Sequence, residues 1–329
     1  MASAGTDDSD SALRTDTEAL NPEIQQLLAI PAVASREDMF RFSWDLQDGK
    51  ATADQLRATP ITGPAPLPVA EVLNTVVEST PVRVYRSETD TTLPVAIFFH
   101  GGGWVFGDLD TQDYACRALA NSARCTVVSI DYDLAPESPF PRPLEQSISV
   151  CKSIVAGAAE LGVDPDRIAL VGASSGGNLA AAVALDAVRG GWAPLRAQAL
   201  VYPPLDATTN SESYAINASG FNLSAREMRF YWQMYHQGQT DPRDPRLSPL
   251  FAEDLSGLPP SLVFTAEYDV LRDDGRRYAA RLQDSGVPTL YRNYDGQIHG
   301  FLGLGHIGVD AGHALREVGS WLRSALAAD

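Results

Sequence analysis

The stretch RIALVGASSGGNLAAAVALDAV, residues 167–188, reads as a buried strand, a tight turn and a helix. Its first part is a continuous apolar run, the pattern of a strand covered on both faces. Between that run and the Ala- and Leu-rich helix, Gly172-Ala173-Ser174-Ser175-Gly176 fits G-x-S-x-G, the signature of a nucleophile elbow. So tight a turn brings the side chains two before and two after the serine into conflict, which accounts for glycine at 172 and 176. Ser174 is then held in a strained conformation at the carboxyl end of a central strand, with the N-terminus of the next helix behind it favouring negative charge. Gly and Ser also make ordinary helix-start turns; the strand before and the helix after give the pattern its weight.

Outward from the elbow, strand and helix alternate. VLNTVVES, PVRVYRS, LPVAIFFH, TVVSIDY, AQALVYP, SLVFTAE and PTLYRNY are further strands, eight in all with RIALVG. Helical stretches span 110–122, 144–161, 177–188, 271–285 and 310–327. The alternation predicts an α/β fold: a mostly parallel eight-stranded sheet with helices on both faces, the first two strands forming an antiparallel edge. Residues 206–245 interrupt it without a strand and carry a helix with Met228, Tyr231, Trp232 and Tyr235, which reads as a lid. From Pro22 to about Leu56 two helices are expected, separated by Pro31 and Ser35, with Ser35 as N-cap and Glu37 and Asp38 in the first turn of the second. The expected division is therefore a leader and helical part of a cap over 1–60, core over 61–205 and 246–329, and a cap insertion over 206–245.

His100-Gly101-Gly102-Gly103-Trp104 ends the apolar strand LPVAIFF. Three glycines leave backbone N–H groups free to meet an oxyanion, and the N–H of Ser175 completes such a hole. An acid and then a histidine should follow. Asp269 lies just past the strand SLVFTAE and His299 just past PTLYRNY, where loops converge at the carboxyl edge of a sheet. Asp269 also reads as an N-cap for the helix near Leu271; Asp273 and Asp274 compete for the acid role but fall inside that helix. His100 belongs to the glycine motif, His236 to the lid, and His306 and His313 lie beyond the last strand. Residues 303–308 fit G-x-G-x-x-G but open no βαβ unit, so no dinucleotide site is expected; Asn217 and Asn222 begin glycosylation acceptors, which matter only in a secreted protein.

Composition narrows the partners. The net charge of −17 should repel nucleic acid and anionic membrane surfaces, and no apolar run is long enough to cross a bilayer. Lys50 and Lys152 are the only lysines among 25 basic residues, which reads as a coding bias toward Arg rather than salt adaptation, since the apolar fraction is an ordinary 44%. Cys116, Cys125 and Cys151 form no CxxC pair, so free thiols are expected, with neither disulfides nor a metal site. The acidic, polar residues 1–20 lack a signal peptide's basic start and apolar stretch, so cytoplasmic residence is expected.

HGGGW, DYDLAPESPFP, GASSGG, EYDVLRDDG and HGF, in this order and spacing, resemble the hormone-sensitive lipase-like esterases (family IV) of the α/β-hydrolase superfamily over about residue 70 to the end. The resemblance implies an α/β-hydrolase fold with a split helical cap, and hydrolysis of short acyl esters without a cofactor. It implies a triad of Ser174, Asp269 and His299 and oxyanion donors at Gly102, Gly103 and Ser175. The expected substrate contacts are Trp104, Phe221, Tyr231, Trp232 and Phe301, and a roof of Phe40, Trp44, Phe221, Phe230, Tyr231 and Trp232 should limit acyl length. The partner is a small-molecule ester, the assembly expected a homodimer. Ala173 stands where the family usually has Asp or Thr, Ser175 where it often has Ala, Asp133 where it usually has Arg and Ser138 where it often has His. These departures leave open an amidase, lactonase or acyl transferase. A non-catalytic ligand-binding protein is the further alternative; plant hormone receptors of the family have lost the histidine that stands here at 299.

Overall fold

The computed structural model describes residues 19–30, 40, 46–59, 65–89, 91–157, 161–304 and 309–327. Ser35, Glu37, Asp38, Trp44 and His306 lie outside them. Helices α1 (Pro22–Leu28) and α2 (Leu46–Ala58) precede the sheet, and α2 runs past the expected end near Leu56.

The strands are β1 (Glu71–Val77), β2 (Thr80–Arg86), β3 (Leu93–Phe99), β4 (Thr126–Ile130), β5 (Val163–Ala173), β6 (Leu195–Val201), β7 (Ser261–Tyr268) and β8 (Thr289–Ile298). They form one sheet in the order β1-β2-β4-β3-β5-β6-β7-β8. β1 pairs with β2 and β2 with β4 antiparallel; every later pairing is parallel. Between the strands run α3 (Asp113–Ala123), α4 (Arg142–Ala156), α5 (Ser175–Gly190), α6 (Glu212–Ile216), α7 (Ala225–His236) and α8 (Arg272–Asp284), and α9 (Val309–Ala325) closes the chain.

The alternation of side chains along β3 divides the core. Val95, Ile97 and Phe99 face one cluster with Leu144, Ile154 and Leu179, from α4 and α5. Ala96 and Phe98 face the other with Leu119 and Leu315, from α3 and α9. Both faces of the sheet are thereby covered, as the continuous apolar runs require.

Register aligns the strand ends where a site can form. Phe99 pairs with Gly172, Ala173 with Val201, and Val201 with Phe264. The loops after β3, β5, β7 and β8 therefore leave one edge together, with α6 and α7 above it. The capping box on α7, in which Ser224 and Glu227 bond each other's backbone N–H at 3.1 and 2.8 Å, explains where that helix begins.

Candidate active site

Ser174 stands between β5 and α5 at φ 54°, ψ −126°, a conformation side-chain-bearing residues seldom adopt. The surrounding backbone holds it there. A Cβ at Gly172 would lie 2.0 Å from the Gly176 carbonyl oxygen, and one at Gly176 would lie 2.0 Å from that of Phe99. At Gly172 the conflict lies across the turn, as expected; at Gly176 it lies instead against the end of β3.

Ser174 Oγ–H donates to His299 Nε2 at 2.9 Å, and His299 Nδ1–H donates to Asp269 Oδ2 at 2.7 Å. Asp269 is fully buried, and its other oxygen accepts the Leu271 N–H at 2.9 Å. Asp269 thus both partners the histidine and caps the turn into α8. Asp273 and Asp274 fasten the cap insertion instead: Asp274 Oδ2 accepts the N–H groups of Leu205 and Asp206, at 3.0 and 3.1 Å, and Asp273 Oδ2 that of Ser213 at 3.0 Å. Burial pushes the Asp274 carboxyl well above the usual carboxylate range, and the Asp206 charge adds to it.

The glycine loop lies against the elbow. A Cβ at Gly101 would stand 3.3 Å from Ser174 Cβ. Gly102 and Gly103 have φ of 121° and 61°, and a Cβ on Gly103 would enter the Tyr231 ring at 2.4 Å. Among the described residues no hydrogen bond occupies the N–H groups of Gly102, Gly103 or Ser175. His100 is buried and stacks on Tyr132 at 4.1 Å, its Nδ1–H donating to Gly101 O at 2.8 Å. Burial lowers its pKa to about 4, so it supports the loop as a neutral ring.

Ser174, His299, Gly102 and Gly103 line one cleft of ≈ 790 Å³, open mouth included. Of the five expected substrate contacts only Tyr231 lines it. Trp104 and Trp232 do not: Trp104 lies flat on Tyr235 at 4.3 Å and against Trp232 at 4.4 Å, locking the glycine loop to α7. Phe221 packs on Tyr268 at 5.0 Å, and Phe301 against Tyr202 and Tyr294 at 5.8 and 4.9 Å. These four are buried packing residues. The apolar lining comes instead from Phe106, Leu223 and Met228, with Tyr202 beneath the histidine. Tyr202 directly follows β6, and its place at a strand's carboxyl end was the signal that could have found it.

Two asparagines read only as glycosylation acceptors hold the site. Asn217 is fully buried, and its Nδ2 donates to Glu267 O at 3.2 Å and Asp269 O at 3.0 Å. Asn222 Nδ2 donates to His299 O at 3.1 Å. The cap insertion thereby grips the loops of both the acid and the histidine. α1 supports them from outside, where Leu20 and Ile24 pack with Phe221, Tyr268 and Ile298.

Burial raises the pKa of all three cysteines, that of Cys125 to about 12, and leaves them free thiols. Among the described residues no group of three or more His, Cys, Asp or Glu could hold a metal ion.

A protein-family model described as alpha/beta hydrolase fold matches residues 96–303. An arylesterase of Saccharolobus solfataricus is 37% identical over 86% of this chain and 92% of its own length. The carboxylic ester hydrolase LipN of Mycobacterium tuberculosis is 41% identical over 75% and 67%. The crystal structure of the Ser161Ala mutant of LAE6, an alpha/beta hydrolase enzyme from the metagenome of Lake Arreo in Spain, superposes with a TM-score of 0.84 at 38% identity, covering 93% of this chain and 98% of that one. The chain belongs to the α/β-hydrolase fold family. Within it, the relatives agree with the resemblance to hormone-sensitive lipase-like esterases.

Proposed function

We propose that the chain is a serine carboxylesterase that hydrolyses short-to-medium acyl esters of small molecules, with Ser174, His299 and Asp269 as its triad. The observation that carries this reading is the unbroken run of hydrogen bonds from Ser174 Oγ through His299 to the buried Asp269 carboxylate. His299 Nε2 takes the Ser174 proton as Oγ attacks the ester carbonyl, and Asp269 orients the ring and balances its positive charge. The oxyanion is received by the N–H groups of Gly102, Gly103 and Ser175. His299 returns the proton to the leaving alkoxide, and water then cleaves the acyl-enzyme by the reverse sequence. Arylesterase and carboxylic ester hydrolase relatives support the same class.

Tyr231, Met228 and Phe106 bound the cleft, which favours a limited acyl length. Each methylene buried there gains about 0.8 kcal/mol until the space is full, after which overpacking costs about 1–3 kcal/mol. The test is kcat/KM on p-nitrophenyl esters, with intact mass and peptide mapping after an organophosphonate. Activity should peak at about four to six acyl carbons and the adduct should sit on Ser174. Labelling at Ser175, or a rise continuing through dodecanoate, would contradict the reading.

The same reading divides the chain into a cap, residues 1–60 and 206–245, over a core of 61–205 and 246–329. Packing of α2 on α7 supports this: Gly49 stands where a Cβ would meet Met234 Sδ at 2.4 Å. A cytoplasmic homodimer is part of the proposal. Light scattering on the purified chain tests the assembly, and fractionation of cells tests the address. No described helix is long and apolar enough to cross a membrane.

A further inference from the structure

Arg57, in the last turn of α2, reaches away from its helix into the loops below. Its Nε–H donates to Val105 O at 2.8 Å and its Nη2 to Ala135 O at 2.8 Å, while Nη1 and Nη2 meet the Glu137 carboxylate at 3.3 and 2.9 Å. The Val105 carbonyl belongs to the peptide plane that also carries the Phe106 N–H, and that N–H donates to Gly102 O at 3.0 Å. The Gly102 carbonyl shares its own plane with the Gly103 N–H. A guanidinium thus stands at one end of a two-peptide relay, and the N–H assigned to the oxyanion at the other.

We infer that Arg57 is a positioning residue for the oxyanion hole, which acts through the Val105–Phe106 and Gly102–Gly103 peptides and makes docking of α2 a condition of full activity. The inference rests on the esterase reading above. The physical basis is twofold. Each planar peptide has its N–H and C=O antiparallel, so fixing one end fixes the direction of the other. Hydrogen bonds in series also polarise one another, and a cation at the carbonyl end makes the terminal N–H a stronger donor to a developing anion. The chain around Arg57 keeps the relay in register. Ala135, whose carbonyl takes Nη2, returns its own N–H to Trp104 O at 2.8 Å, and Val105 N–H also donates to Gly102 O at 3.0 Å. Glu137 fixes the fork from outside, with Lys50 3.3 Å away on the same carboxylate.

The test pairs Arg57→Met, which keeps much of the stem and removes the charge, with Arg57→Lys, which keeps the charge but lacks the fork. Two quantities are read: kcat and KM on p-nitrophenyl butyrate, and Ki for a trifluoromethyl ketone, which becomes an oxyanion only on adding a serine. In Arg57→Met, kcat should fall roughly tenfold at unchanged KM, a fraction of the 10²–10³ lost when an oxyanion donor is removed outright. Ki should rise by the same factor, and methylguanidinium should restore part of both. Arg57→Lys should lie between and decides the matter if the methionine variant does not fold. An active wild type whose folded variants keep its kcat and Ki, or raise only KM, would overturn the inference alone. A wild type inert to both ester and ketone would overturn the esterase reading and this inference with it.

Discussion

At Gly176, in the elbow, a Cβ would meet the Phe99 carbonyl oxygen at 2.0 Å, backbone against backbone; at Gly49, in the cap, it would meet the Met234 sulfur at 2.4 Å, backbone against the end of a flexible side chain. In the first case relief requires moving a central strand that pairs on both sides. In the second a thioether with three rotatable bonds can swing aside. The elbow is held by main-chain geometry that leaves no room for a side chain at Gly172 or Gly176, whereas the cap is held by side chains that can repack. This separation lets such a fold keep one chemistry while its pocket varies.

The largest effect should follow from Gly176→Ala. Shifting β3 or the elbow to clear a 2.0 Å approach belongs to the exceptional class of substitutions, those costing about 4–5 kcal/mol or more. Any folded fraction should also have lost the placement of Ser174 and react with an organophosphonate far more slowly. Gly49→Ala should leave the midpoint of urea unfolding nearly unchanged, because helix propensity gains what repacking of Met234 costs. Equal losses in the two variants would break the contrast between backbone-held and side-chain-held regions.

Asn217 tests the contact between those regions. Its amide spans from the cap to two carbonyls, one at the end of β7 and one on the acid loop, both more than 45 residues away in sequence. Asn217→Ala takes a buried donor away from both carbonyls, which should destabilise by about 1–3 kcal/mol. It should also free the Asp269 loop and lower kcat roughly tenfold, since small displacements of catalytic groups are expensive. Stability loss at constant kcat would show that the cap merely rests on the core.

This contrast explains what the sequence made legible. The eight strands, the elbow, Asp269 and His299 are local signals: apolar runs, glycines flanking a serine, residues at strand ends. The cleft lining is not local. Helix α7 is buried on several sides, with Met228, Phe230, Tyr231, Trp232, Met234 and Tyr235 all covered, so hydrophobic periodicity could not tell which face turns to the serine. Tyr231 faces the cleft and its neighbour Trp232 the core. The roles of Asn217, Asn222 and Arg57 depend on partners 48 to 80 residues away and leave no trace in spacing. β5 reaches back to Val163 through the Pro-containing segment Asp164–Asp166, exposed at Pro165 and Asp166, which no strand pattern marks.

The smallest loss lies on the cap's outer latch and depends on pH. The hydrogen bond from Arg57, helped by Lys50, holds the Glu137 carboxyl down at about 2, below its ordinary 4.5. A depressed carboxylate stabilises the folded state fully above its unfolded value, and that stability drains away as pH falls through the folded value. Glu137 is 39% exposed, so solvent screens the pair and its worth stays within the range of surface ion pairs. Glu137→Gln should therefore lower the thermal midpoint at pH 7 by only about 1–3 °C. Glutamine does not titrate, so the gap between the two proteins should narrow as pH drops from about 4.5 toward 2, and it should also narrow in molar salt at neutral pH. Both trends read the charge of the pair rather than the packing of α2, which neither condition removes. A gap of constant size across pH and salt would mean that the charge of Glu137 has no share in holding α2, and the contrast between a yielding cap and a rigid elbow would then rest on packing and the Arg57 bonds to the Val105 and Ala135 carbonyls.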